Sequence, residues 1–211
     1  MIVTPFDFSL DPLVGRGTRT PGIHCTAIIE RLERAIKGDK DPDHWDYAGA
    51  VGFLWEDAMS RAFRDQAVIC SDLTKDPQLY HIGELEHDAI LLTPDTVAMT
   101  YDEVWDFKFT WKGLKKTPPE AVWKYMVQIK AYAYVMGLHK ARLVCMYANG
   151  DYSPMRPMPV GRHFVFTDRE LEENWTMLRN GAAVLRDEAA AGDTPGSVRE
   201  SGGGERTLWR T

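Results

Sequence analysis

Asp106 and Lys108 are the residues best placed by spacing to do chemistry together. They lie in Glu103-Val104-Trp105-Asp106-Phe107-Lys108-Phe109-Thr110-Trp111, whose two-residue alternation is that of a β-strand. Val104, Asp106, Lys108 and Thr110 then share one face, and Trp105, Phe107, Phe109 and Trp111 form a heavy aromatic layer on the other. A carboxylate and an amine side by side on such a strand can hold a cation and steer a proton. The plainer alternative is a solvated polar face with a weak ion pair.

Two more carboxylates bear on that choice. Asp88, in His87-Asp88-Ala89-Ile90-Leu91-Leu92, falls on the face of Ile90 and Leu92, so on a strand it points where apolar side chains point. A charge there needs a metal, a cation or a shifted pKa; alternatively Asp88 is a strand-end or turn residue facing water. Glu56 has Gly52, Met59, Ser60 and Phe63 on its helix face, while Asp57 sits outward and can pair with Arg61. Glu56 therefore faces inward, toward a site or toward a backbone group or lysine. Three inward carboxylates and one lysine make a candidate Mg²⁺ site, because Mg²⁺ prefers oxygen ligands and keeps several waters. Such a cation polarises a phosphodiester and acidifies a bound water, with the lysine steadying that water or helping to deprotonate it.

The elements that must position these residues follow from periodicity and punctuation. Residues 1–20 read as an irregular arm. Thr20-Pro21 opens a helix over 22–37 that directs Ile23, Ala27, Ile28, Leu32 and Ile36 inward, and a second helix covers 47–64. Strands at 87–92, 97–101 and 104–111 form a meander, with Thr93-Pro94-Asp95-Thr96 supplying turn chemistry. Thr117-Pro118-Pro119-Glu120 reads as a capping box that opens a helix ending at Gly137. Strands at 141–148 and 162–166 make a hairpin, and Thr167-Asp168-Arg169-Glu170 starts a last helix that runs to about Ala190. The expected organisation is one domain over 1–190 and a flexible Gly-rich tail over 191–211.

Glu56, Asp88 and Asp106-Phe107-Lys108 together resemble the PD-(D/E)XK nuclease pattern: a helix Glu, a hairpin Asp, and (D/E)-x-K on a following strand, here 18 residues on. Gln128-Ile129-Lys130-Ala131-Tyr132 is similar to the Gln-x-x-x-Tyr of the RecB-like and phage-exonuclease branches, on the helix that follows that strand. The match spans residues 20 to 140 and departs at His87, which stands where the motif has proline. The resemblance implies an α/β fold with a restriction-endonuclease-like core, a mixed central β-sheet flanked by α-helices. It also implies Mg²⁺, with Mn²⁺ able to substitute, held by Asp88, Asp106 and the Phe107 backbone carbonyl, with Glu56 contributing directly or through water. Lys108 would act on the nucleophilic water, Gln128 would orient Lys108 or the substrate, and Tyr132 would support the site. His24 falls where RecB-like members often carry a histidine at the metal; otherwise it is a capping or surface residue.

Accessory features narrow the branch. Cys25, Cys70 and Cys145 are unclustered and contain no C-x-x-C pair, which argues against zinc or an iron–sulfur cluster and for a reducing compartment. The chain looks most like the phage and prophage recombination exonucleases of the lambda-exonuclease and YqaJ type. That likeness implies duplex DNA ends as substrate, 5′-to-3′ digestion, a single-strand annealing partner, a homo-oligomeric ring and the cytoplasm of a bacterial host. Two other readings keep the fold: a structure- or sequence-specific endonuclease, and a non-catalytic DNA- or partner-binding protein.

Composition is compatible with all three. The 211 residues carry 25 Lys+Arg against 31 Asp+Glu, a net charge of −6. No apolar run approaches the ~18 residues of a membrane span, and the first residues lack the pattern of a signal peptide. The acidic average confines DNA contact to a cleft. Arg16, Arg19, Lys112, Lys115 and Lys116 are the candidate contacts, with Lys124, Lys130, Lys140 and Arg142 also beside the motif. Arg16 and Arg19 would cradle a 5′-phosphate; the 112–116 loop either meets phosphates or is simply solvated.

Overall fold

The structure, a computed structural model, describes residues 20–38, 51–52, 54–59, 61, 79–111, 117–148 and 157–192. In chain order its elements are β1 (Ile23–His24), α1 (Cys25–Lys37), β2 (Leu79–Tyr80), β3 (Leu85–His87), β4 (Ile90–Leu92), β5 (Thr96–Ala98) and β6 (Glu103–Thr110). A 3₁₀ turn (Pro119–Ala121), α2 (Trp123–Val135), β7 (Lys140–Tyr147), β8 (Met158–Val165) and α3 (Asp168–Gly192) follow. Residues 51–52, 54–59 and 61 are helical as well.

The alternating strand around Asp106 becomes the middle of a five-stranded sheet ordered β2-β5-β6-β7-β8. β6 pairs in parallel with β7 from Glu103↔Lys140 to Thr110↔Tyr147, with α2 as the crossover, while β5–β6 and β7–β8 are antiparallel. A central strand is covered on both faces. On one, Val104, Ala141, Leu143 and Cys145 pack beneath Ile28 of α1, Ile129 and Tyr132 of α2, and Trp175 and Leu178 of α3. On the other, Trp105 and Phe107 meet Leu79, Ala98, Val144 and Met59. Fully burying a side chain such as Ile28, Leu143 or Phe107 contributes about 1.5–3 kcal/mol, and all three have no exposed surface. The result is the expected mixed sheet flanked by helices.

Several local expectations change. The first helix starts at Cys25, because Ile23 and His24 pair in parallel with Ile90 and Leu91 of a second sheet, β1-β4-β3. Ile36 is 68% exposed, and Ile29 is buried beside Ile28. The presumed strand over 87–92 is two short strands, with Asp88 and Ala89 between them at φ 50° and 55°. Two left-handed residues between paired strands are the type I′ hairpin turn. Non-glycine residues occupy that region at a cost of about 1–2 kcal/mol each, and α3 offsets it. Arg186 Nη2 donates to the carbonyls of Asp88 and Ala89 at 3.0 and 3.3 Å, and Trp175 Nε1 donates to Asp88 Oδ2 at 2.9 Å.

The two capping-box sequences also part ways. Pro118 is held extended at ψ 154°, as a residue before proline prefers, so α2 waits until Trp123 and Val122 caps it without a side-chain bond. Glu120 instead accepts from Arg162 at 3.1 Å, and the Tyr147 hydroxyl donates to the Thr117 carbonyl at 2.7 Å. At α3 no proline interferes and the box closes: Thr167 N–H donates to Glu170 Oε2 at 2.9 Å and Glu170 N–H to Thr167 Oγ1 at 3.3 Å. Gly137 ends α2 as expected, at φ 67°, with the Leu138 N–H returning to the Ala133 carbonyl at 2.8 Å. Among the described residues no helix is long and apolar enough to cross a membrane.

Gly181 marks the tightest point between α1 and α3, where a Cβ would lie 2.6 Å from Ile28 Cγ2. Gly→Ala inside a helix ordinarily stabilises by about 0.8–1.0 kcal/mol, whereas overpacking a rigid contact costs about 1–3 kcal/mol. Gly181→Ala is therefore expected to destabilise the fold by about 1 kcal/mol in urea denaturation; a gain in stability would mean that the two helices separate freely.

Candidate active site

The geometry starts from the end of a ladder. β5 pairs with β6 only as far as Thr96↔Trp105. Just beyond that point the Phe107 N–H donates to the Asp95 carboxylate, Oδ2, at 2.7 Å. Asp95 follows Pro94 in the β4–β5 connection, and its carboxylate is thereby tied to the strand that carries Asp106 and Lys108.

On the α2-covered face of β6, Lys108 Nζ donates to Asp106 Oδ1 at 2.8 Å and stands 3.8 Å from Glu56 Oε1. Asp106 has no exposed surface and Lys108 only 9%. The solvated polar strand face is thus replaced by a buried ion pair. Breaking such a pair by removing one partner is strongly destabilising, since it strands the other charge. Asp106 Oδ2 has no hydrogen-bond donor among the described residues. The Asp95 carboxylate beside it can engage it only by sharing a proton, a contact that raises the Asp106 pKa.

The electrostatics follow. Burial pushes Asp106 up, Lys108 pulls it back and Asp95 pushes it up again, to about 7. Burial raises Glu56, Lys108 lowers it, and Asp95 and Asp106 raise it, to about 8. For Lys108 burial favours the neutral amine, but Asp106, Glu56, Asp95 and Tyr132 outweigh it and hold the ammonium well above its ordinary value. Lys108 is consequently held as a positive charge among these carboxylates.

From α2, Gln128 Nε2 donates to the Tyr132 hydroxyl, four residues on and on the same helical face. Tyr132 is buried, and burial first, then Asp106, keep its phenol neutral. Gln128, Tyr132, Glu56, Asp106 and Lys108 are thus brought to one locus.

Asp88 is not. Its carboxylate is 43% exposed, accepts from Trp175 and lies 4.0 Å from Arg179 Nε, in the I′ turn under α3. The water-facing turn reading of Asp88 is the one realised, and the carboxylates acting on Lys108 are Asp106, Glu56 and Asp95. Asp95 was missed because Thr93-Pro94-Asp95-Thr96 reads as turn chemistry. The signal that finds it is its proline: Pro94-Asp95 stands 11 residues before Asp106.

His24 Nε2 is bonded to the Thr20 carbonyl at 2.8 Å, and its Nδ1 lies 3.7 Å from a Glu84 carboxylate oxygen. Of the basic residues beside the motif, Arg142 is spent on Glu103 at 2.6 Å and on the Trp105 ring, and Lys130 lies 3.9 Å from Glu170 and over Phe166. Arg16, Arg19, Lys112, Lys115 and Lys116, together with Cys70 and most of the tail, lie outside the described residues.

Among the described residues no three His, Cys, Asp or Glu side chains converge closely enough to enclose a metal by themselves. The donors present nonetheless fit a hard divalent cation. They are all oxygens, one buried carboxylate oxygen lacks any donor, and two neighbouring acids are pushed to hold protons where a cation would satisfy them. Mg²⁺ takes few protein ligands and fills its octahedron with water and substrate oxygens.

No protein-family model and no curated protein matches the chain. Among solved structures it is similar to a phage related exonuclease from Haemophilus somnus 129PT, 12% identical, covering 81% of this chain and 83% of that one at TM-score 0.48. It is also similar to an alkaline exonuclease from Laribacter hongkongensis, 14% identical, covering 79% and 81% at TM-score 0.45. The complex of that alkaline exonuclease with dAMP gives 13% identity, coverage of 81% and 90%, and TM-score 0.47.

The raised acids make stability depend on pH. Asp106 and Glu56 titrate near their ordinary values of 3.8 and 4.5 when unfolded, and near 7 and 8 when folded. Between those limits the folded chain binds more protons, so the stability they contribute is complete below about pH 4 and is lost as pH rises toward 8. In EDTA, the melting temperature is expected to fall from pH 5 to pH 8.5, and the fall to be smaller in Asp106→Asn. A melting temperature that rises over this range would show that the two acids ionise normally.

Proposed function

We propose that this chain is a divalent-metal-dependent deoxyribonuclease of the PD-(D/E)XK type, acting as an exonuclease on duplex DNA ends. The observation that carries the proposal is the buried Asp106–Lys108 pair, with a donor-free Asp106 oxygen next to Asp95 and with Glu56 across the lysine. Asp95 takes the role that the resemblance implies for Asp88. Asp95, Asp106 and the Phe107 carbonyl would hold Mg²⁺ or Mn²⁺, with Glu56 contributing directly or through water. When bound, the cation polarises the phosphodiester and acidifies the attacking water.

The chain's own residues do the rest. Lys108, held charged by three carboxylates, faces the negative charge that builds on the phosphate oxygens as water adds. Fixed charges in a dry site are worth far more than in water. Asp106 Oδ1 keeps the ammonium aimed, and the neutral Tyr132, fixed by Gln128, fills the space behind it so that water does not. Departure of the 3′-oxygen leaves a 5′-phosphate on the fragment that received the water's oxygen.

The decisive assay compares end-labelled linear duplex, with and without a 5′-phosphate, against closed circular DNA in Mg²⁺. Digestion of the linear duplex alone is expected. Cutting of the circle would turn the reading to an endonuclease, and binding without cleavage in both Mg²⁺ and Mn²⁺ would turn it to a DNA-binding protein. Lys108→Ala and Asp95→Asn are each expected to lower kcat by at least about 10²-fold, the scale of losing one preorganised charge-stabilising group. Asp88→Asn should stay within about threefold of wild type; the reverse ranking of the two aspartates would return the metal to Asp88.

A further inference from the structure

The polar row on β6 does not end at Lys108. Thr110 is the next residue on the same face, two positions or about 6.6 Å further along the strand, and it is half-buried where Asp106 is sealed. Above that row, α2 presents Tyr125, Gln128 and Tyr132 at i, i+3 and i+7, one helical face. Tyr132 closes the Asp106 end, and at the other end the Tyr125 hydroxyl is hydrogen-bonded to the Thr110 side chain. Tyr125 also lies within electrostatic reach of Lys108 and Asp106.

The row therefore runs from a closed end to an open one, and the open end lies at the carboxyl ends of the parallel strands β6 and β7, where ligands of α/β sheets bind. A substrate strand that enters at this open end meets Thr110 before Lys108. The step from Lys108 to Thr110 is comparable to the spacing of neighbouring phosphates on an extended strand. A hydroxyl, unlike a second lysine, gives a donor to a phosphate oxygen without competing with Lys108 for the carboxylates.

Resting on the nuclease reading above, we propose that the Thr110 hydroxyl binds a non-bridging oxygen of the phosphate adjacent to the one being cut, and that Tyr125 is the positioning residue that aims it. Tyr125 contributes through Thr110, so the two act as one unit.

The test separates this contact from the nuclease reading. Binding of a fluorescent duplex to the full chain is measured by anisotropy with Ca²⁺, and cleavage of the same duplex with Mg²⁺. Thr110→Val is expected to weaken binding and raise KM by about tenfold, the effect of losing one hydrogen bond to a charged group, with kcat changed less than about twofold. Thr110→Ser should restore both. Tyr125→Phe should weaken binding by a smaller factor, and Tyr125→Phe combined with Thr110→Val no more than Thr110→Val alone. Equal melting temperatures of wild type and Thr110→Val identify a folded variant; should valine unfold the site, Thr110→Ala replaces it. Unchanged binding and KM in the folded variant overturn the proposal while wild-type cleavage upholds the nuclease. Absence of wild-type cleavage defeats the nuclease reading, and the anisotropy series then decides Thr110 alone, failure of the wild type to bind DNA counting against it.

Discussion

A lysine and an aspartate buried together on the central strand set the terms for this fold. Neither Asp106 nor Lys108 can be dry alone. Each needs the other, and the pair needs further charge around it, because two desolvated ions recover their hydration energy only through excellent geometry and additional partners. Glu56 and Asp95 come from two other parts of the chain to meet that need. The strand must also be central: an edge position would leave the pair in water, where it would have little worth.

Placing β6 in the middle has structural consequences on both sides. The parallel partner β7 demands a crossover, and the crossover is α2, which lays its Tyr125–Gln128–Tyr132 face over the acid–base row. The antiparallel partner β5 is short, and its early end gives Asp95 the Phe107 N–H. A longer β5 would have engaged that N–H in the ladder and left Asp95 without its anchor. The truncated strand is thus a condition of the site.

The sequence made some of this legible and concealed the rest for physical reasons. Asp106 and Lys108 stand out because strand alternation puts them together opposite an aromatic face, and Gln128 and Tyr132 because they resemble the Gln-x-x-x-Tyr pattern. Glu56 was legible through the apolar residues of its helix face. Asp88 was misplaced because periodicity through His87–Leu92 does not reveal two residues turned left-handed; the energy that permits that turn comes from Trp175 and Arg186, far along the chain. The capping box at Thr117 fails for a reason that is in the sequence, the Pro118-Pro119 pair, but the rule that breaks it acts on the residue before a proline, one step away from the box itself.

The grip of α3 on the β3–β4 turn gives the chain a temporal order. The bonds from Trp175 and Arg186 to Asp88 span 87 and 98 residues. Closing loops that long costs conformational entropy that local contacts do not repay. On a ribosome, where a chain emerges from its amino end, the strained turn and the sheet β1-β4-β3 have no clasp until α3 has left the exit tunnel. The left-handed turn at Asp88 and Ala89 is therefore fixed only after α3 has formed.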